Sequence, residues 1–290
     1  MRSWQSIICF LVLKNNNTYT RLVKRYIGIL VALEWFNLVD RDLYCKRDEK
    51  VIECISRAYD YGLLHIPLVE SNELLGLIDF YKLAGVISIY KNNFSKISCK
   101  DIRNTISRTK VSVKESLNTV IRRMTMGNYT SMGVSSKPKV FEGTITAKSI
   151  ALQLLHKFEN MRVGEVASSR VGIVGSGADL YQILSIISRR RQPCVIVFDG
   201  YDVEGIVCLD DVMYMLSQFE GTLPLYESTT RDVIRSPKII DAESKLGEKG
   251  PQILDAPLLV SENGEIAGLL SIEDILVYAR RKFTTQHSLQ

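Results

Sequence analysis

The sequence predicts an α/β protein built from four copies of one strand-helix-strand-strand-helix unit, paired into two pseudo-two-fold modules. Three observations predict it. An apolar strand, a polar turn and a second apolar strand containing a glycine recur four times. Those glycines, Gly76, Gly143, Gly205 and Gly268, stand 67, 62 and 63 residues apart, the period of one small α/β unit. Each hairpin also follows a stretch of helical periodicity, as in Lys50 to Asp60, where Val51, Ile52, Ile55 and Ala58 form one apolar face.

The elements follow in order within each unit. Short strand-like runs open the first three, at Leu43 to Cys45, Lys110 to Val113 and Val171 to Val174, and Ile239-Ile240 opens the fourth. Helical stretches follow at Lys50 to Asp60, Glu115 to Met126 and Ala178 to Arg189. In the fourth unit Gly247, Gly250 and Pro251 fall where that helix should run, so it is expected to be short or distorted. The hairpins run from His65 to Asp79, to Thr146 in a looser second copy, from Cys194 to Cys208 and from Pro257 to Ser271. Ser261-Glu262-Asn263-Gly264 has the chemistry of a tight turn between paired strands. A unit of about 60 residues cannot bury a sheet face and two helices alone, so pairs are expected to dock through their helices. This divides the chain into an N-terminal extension (1–36), a first pair (repeats 37–92 and 97–157) and a second pair (158–290, repeats 161–219 and 229–282). The join near His156 to Asn160 is short and free of Gly/Pro/Ser tracts, so the pairs should pack on each other.

Composition narrows the function classes. The 290 residues are 46% hydrophobic and 24% charged, which excludes a disordered or collagen-like chain. The net charge is +5, but five bases and one acid sit in residues 1–36, so the body is almost neutral and lacks the basic excess of a nucleic-acid binder. The apolar runs Ile7 to Leu13 and Tyr26 to Leu33 are too short to cross a bilayer of about 30 Å, and no transmembrane segment is expected. Cys9, Cys45, Cys54, Cys99, Cys194 and Cys208 form no C-x-x-C pair and read as small apolar fillers in a reducing cytoplasm. Only three histidines are present, so no metal is expected and no catalytic set is suggested. Gly172 to Gly177 is spaced G-x-x-G-x-G, which reads as a strand-to-helix turn rather than a dinucleotide loop.

With these residues in view, the repeat resembles the cystathionine-beta-synthase (CBS) domain, and two pairs resemble two Bateman modules over roughly residues 37–282. The family's mark is Gly-hydrophobic-x-Ser/Thr-x-x-Asp where the hairpin meets the second helix. The resemblance implies a non-catalytic regulatory protein that binds an adenosine-containing ligand (AMP, ADP, ATP or S-adenosylmethionine), with the hydroxyl and carboxylate on the ribose. A carboxylate can accept from two vicinal ribose hydroxyls, and a helix start also directs free N–H groups at the ligand. Four repeats are also the layout of the gamma subunit of AMP-activated protein kinase, which implies sensing on behalf of an as yet unknown protein target or of a homodimer.

The four copies differ. The fourth is complete, with Gly268, Ser271 and Asp274; the third keeps Asp211 but has Cys208 at the hydroxyl position. The second keeps Thr146 but has Ser149 for the acid, and the first has Asp79 and Lys82. Ribose binding is therefore expected in the order fourth, third, second, first. Ser271 and Asp274 would equally make a capping box for the last helix. By the same resemblance, adenine of the fourth site would lie among Ile239, Ile240, Ala256 and Pro257. Phosphate would meet Arg191 or His65 ahead of a second strand, or Arg280 and Arg281 in the fourth repeat. Two rival readings stay open: a ligand-free scaffold or self-association module, and nucleic-acid or anionic-membrane contact through residues 1–36.

Overall fold

The four units fold as their patterns dictate. A computed structural model describes residues 35–90, 96–102, 105–107, 109–137, 140–219 and 227–287; all but the last two residues of the expected N-terminal extension lie outside them. The first repeat runs β1 (Cys45–Lys46), α1 (Val51–Asp60), β2 (His65–Glu70), β3 (Glu73–Asp79) and α2 (Phe80–Tyr90), and β4 (Ile106–Ser107) joins its sheet. The second runs β5 (Lys110–Ser112), α3 (Leu117–Gly127), β6 (Ser131–Ser135), β7 (Phe141–Thr146) and α4 (Ala147–Lys157). After the short α5 (Val163–Val166), the third runs β8 (Gly172–Gly175), α6 (Leu180–Arg190), β9 (Cys194–Asp199), β10 (Asp202–Cys208) and α7 (Leu209–Gln218). The fourth runs β11 (Ile239–Asp241), α8 (Leu246–Ile253), β12 (Leu258–Glu262), β13 (Glu265–Leu270) and α9 (Ile272–His287).

In every repeat the first strand pairs parallel to the second and the second antiparallel to the third. A parallel pair needs a crossover, which the first helix supplies, and a tight turn suffices for the antiparallel pair. Ser116, Thr146 and Asp179 start α3, α4 and α6 by accepting from the backbone N–H three residues on. The first helix of the fourth repeat forms, yet spans 8 residues against 10 or 11 in the other repeats. Gly247 lets it lie close on Glu159, since a Cβ there would fall 2.6 Å from the Glu159 Cβ.

The periodic glycines have a steric cause. The segment entering each repeat lies against the third strand of its pair partner: Ser107 on β3, Asp40 on β7, Arg235 on β10 and Ser168 on β13. A Cβ on Gly76, Gly143 or Gly205 would fall 2.8, 2.7 and 2.5 Å from the carbonyl oxygens of Ser107, Asp40 and Arg235, and Gly268 meets Ser168 in the same way. A side chain at any of these positions would push the partner's chain away.

The docking differs from the expectation. Repeats within a pair meet through their sheets, while helices pack between pairs. Cys194, Ile196, Ile206 and Cys208 of the third repeat cluster with Leu259 and Leu269 of the fourth. Helices α1 and α2 share one core with α6 and α7, and α3 and α4 share another with α8 and α9. The reason lies in strands such as β2 and β9, which are apolar on consecutive residues and so bury both faces. Their own helices cover one face and only a second sheet can cover the other. Ile275, Leu276 and Ala279 on α9 are buried in the core shared with α3 and α4 of the second repeat. The two pairs therefore make one continuous body.

The cysteines are also corrected. The structure joins Cys45 to Cys54 and Cys194 to Cys208 as disulfides, with Cys99 free and buried; Cys9 lies outside the described residues. Sheet register, which spacing does not show, sets Cys194 opposite Cys208 across β9 and β10.

Candidate nucleoside cleft

The chain places Ser271 at the end of β13 and Asp274 in the first turn of α9, at the seam between the third and fourth repeats. There they line a cleft of about 240 Å³ whose opposite wall is Arg170, Val171 and the segment Arg190 to Cys194 of the third repeat. Tyr81 and Asn128 reach it from the first pair. The cleft has three arginines on one side and a Ser/Asp pair on the other. That arrangement suits a ligand with hydroxyls at one end and anionic groups at the other.

The pair is poised by its own hydrogen bonds. Asp274 Oδ2 accepts from the Ser271 N–H at 2.8 Å and from Ser271 Oγ at 2.7 Å, closing the last helix with a capping contact. Burial pushes the Asp274 carboxyl up to about 7, against the Ser271 hydrogen bonds that favour its charged form. A hydroxyl-bearing ligand can thus meet Asp274 in either protonation state near neutral pH.

The equivalent place in the third repeat is filled. Arg235 Nε donates to Asp211 Oδ1 at 2.7 Å, and its second guanidinium nitrogen reaches both Asp211 and, at 3.1 Å, Asp210. Burial and the neighbouring Asp210 push the Asp211 carboxyl up to about 6, with Arg235 opposing them. Only about 70 Å³ remains there. The contrast has one cause: the segment entering the fourth repeat presents Arg235 where the segment entering the third presents Ser168. A long cation occupies one cleft and a small hydroxyl leaves the other open. Asp211 is thus bound to an internal partner.

Ile239, Ile240, Ala256 and Pro257 do not join Ser271 and Asp274. Ile239 is exposed, Ile240 belongs to the core shared by the second and fourth repeats, and Ala256 and Pro257 line the small cleft beside Asp210 and Arg235. The cause is the sheet-to-sheet docking, which makes each cleft from the motif of one repeat and the strand starts of its partner. The residues across from Asp274 are accordingly Val171, Pro193 and Cys194.

Among the cations, Arg191 lines the cleft and also leaves it. It caps α6 in a left-handed conformation (φ 50°), and its guanidinium donates twice to Asp79 Oδ2 at 3.1 Å. It also donates to the Gly127 carbonyl at 3.2 Å and lies 4.9 Å from the Tyr81 ring centre. His65 cannot be a phosphate contact, because it is fully buried against Thr130, Arg191 and Asp79. Burial pushes it down to about 4, so it is neutral at pH 7. Arg280 reaches across to Thr125 on α3, and Arg281 is exposed; neither lines the cleft. Thr146 is held as the cap of α4 by the Ser149 N–H at 3.0 Å. In the first repeat Asp79 is buried in its contacts with Arg191, His65, Ser107 and the Lys82 N–H.

Sequence reasoning missed Arg170 and Arg235. The signal for Arg235 was present, since its place ahead of β11 matches Ser168 ahead of β8, but it lies more than twenty residues from the motif it serves.

Residues 163–218 match the CBS domain family. No curated protein sequence matches the chain. Among solved structures, a Methanocaldococcus jannaschii protein described as a candidate archaeal homolog of g-AMPK superposes with a TM-score of 0.71 at 15% identity, covering 84% of this chain and 99% of its own. An uncharacterized conserved protein from Pyrococcus horikoshii superposes at 0.53 with 17% identity, covering 83% of this chain and 97% of its own. At these identities the likeness is one of fold. Among the described residues no helix is long and apolar enough to cross a membrane. Residues 163–218 are therefore a CBS domain, in a chain that repeats the domain's strand-helix-strand-strand-helix unit four times in the arrangement it shares with the M. jannaschii protein.

Proposed function

We propose that the protein is a non-catalytic sensor that binds one adenosine-containing ligand in the Ser271/Asp274 cleft, where the ligand's occupancy biases how the two pairs pack. The observation that carries this reading is the difference between the clefts. The fourth motif is complete, and its cleft stays open at about 240 Å³ with Arg170, Arg190 and Arg191 in its wall. The ribose hydroxyls would replace Ser271 as partners of Asp274, and Arg170 and Arg190 would meet phosphate or carboxylate. Tyr81 and Asn128 line the same cleft, so a ligand there touches both pairs, as a sensor coupling them requires.

A second reading is favoured by one observation: the carboxylates at Asp79 and Asp211 already hold arginine partners inside the fold, and Ser271 with Asp274 close on each other. A ligand-free scaffold would look the same. Isothermal titration with AMP, ADP, ATP and S-adenosylmethionine, each in turn, separates the two. The sensor reading predicts micromolar binding of one ligand per chain, whereas flat traces from folded, ligand-stripped protein would leave the scaffold.

A further inference from the structure

A cavity of about 830 Å³ lies away from all four motif positions. Residues Val69 to Asn72, at the turn of the first hairpin, line it, whereas Asp79 sits at the opposite end of the same strands, paired with His65. Its cationic lining is Arg41, Lys46, Arg47 and Lys100. Arg47 forks onto both oxygens of Glu70 at 2.8 Å, and Glu142 accepts from Ser136. Arg41, Lys46 and Lys100 then have no salt-bridge partner among the described residues, while the carboxylates of Asp48 and Glu142 keep their charge in the lining. Four cations therefore face three carboxylates, and the lining keeps a net positive charge.

The frame that carries these cations is pinned by backbone hydrogen bonds. Arg47 N–H donates to Val69 at 3.2 Å, Lys100 N–H to Arg47 at 2.9 Å, and Phe141 N–H to Asn72 at 3.0 Å. Tyr44 and Phe141, edge to face at 5.2 Å, form an apolar wall. Like charges around one concavity raise the local potential and draw in a counter-ion.

We propose that this cavity binds a compact, multiply charged anion of the oligophosphate class, held by Arg41, Lys46 and Lys100, at a place separate from the nucleoside cleft. The anion is either free or the phosphate tail of a nucleotide, since both carry the same chemistry. The test is isothermal titration of the full chain carrying Arg170→Ala/Arg190→Ala with sodium tripolyphosphate, so that the arginines of the nucleoside cleft cannot supply the binding site. Saturable binding of one anion per chain is expected, weakened about tenfold or more by Lys46→Ala/Lys100→Ala and by raised salt. The control Arg122→Ala, on the exposed face of α3, should leave it unchanged. ATP displacing the anion would identify the esterified source, and ATP failing to displace it the free one. No saturable heat, an unchanged affinity in the double variant, or an equal loss in Arg122→Ala would overturn the proposal.

Discussion

Replacing Arg191 by Met should break the contact that ties three repeats together, because it keeps the stem and removes the guanidinium. Asp79, with 1% of its side chain exposed, then loses two donors at 3.1 Å. The Gly127 carbonyl loses one at 3.2 Å, and the Tyr81 ring loses its cation. Breaking a buried pair by removing one partner costs about 3–5 kcal/mol. The Arg191 side chain is 30% exposed, which places the expected loss at the low end, about 3 kcal/mol. What remains beside Asp79 is His65 Nε2 at 3.6 Å, Ser107 Oγ at 3.3 Å and the Lys82 N–H. Arg191 is one of the groups holding the His65 pKa down, and Asp79 pulls it up. Without the arginine, His65 should titrate higher and take over as the partner of Asp79. Burial, the larger cause of the low value, stays in place, so acidification still costs the variant stability but costs it less than the wild type. The deficit of Arg191→Met should therefore shrink between pH 7.5 and 5.5, and adding Asp79→Asn should recover part of it by removing the orphaned charge. Urea unfolding at the two pH values, with the His65 ring signal followed by NMR, makes the measurement. A loss under about 0.5 kcal/mol, or a deficit that widens on acidification, refutes the reasoning.

The wild-type His65, at about 4 in the fold against an ordinary 6.5, should cost stability as pH falls from 6.5 towards 4, and His65→Gln should flatten that slope. Asp274 acts in the opposite sense: raised from 3.8 to about 7, it lowers stability as pH climbs through that window, and Asp274→Asn should remove this slope in thermal scans. Cys194→Ser/Cys208→Ser removes a cross-link with a sequence separation of 14 and should cost about 3 kcal/mol in denaturant titration. Thiol counting on the unfolded, unreduced chain should find one free sulfur among the five described cysteines. Gly205→Ala puts a methyl 2.5 Å from the Arg235 carbonyl and should cost about 1–3 kcal/mol, read as a lowered melting temperature.

The repeat was legible because one steric demand recurs. A glycine must sit wherever a partner's chain crosses the third strand, and Gly76, Gly143, Gly205 and Gly268 mark those crossings. Strand and helix order followed from periodicity around them. The docking was not legible, since the apolar runs of β2 and β9 say that both faces are buried without saying by what. The same gap misplaced the adenine wall: Ile239 was read as facing Asp274 in its own repeat, whereas a sheet-to-sheet seam puts Pro193 and Cys194 of the partner there. Asp211 could be named from its motif, but its occupant Arg235 arrives from the next repeat. The buried role of His65 was hidden for a like reason, because its partners Thr130 and Arg191 stand 65 and 126 residues away.

The nucleoside cleft is tested most directly by comparing two carboxylates. In isothermal titration with the ligand that binds the wild-type chain best, Asp274→Ala should lose about ten- to a hundredfold in affinity. Asp211→Ala, whose carboxylate already serves Arg235, should bind as the wild type does. Unchanged binding in Asp274→Ala, or an equal loss in Asp211→Ala, would contradict the account.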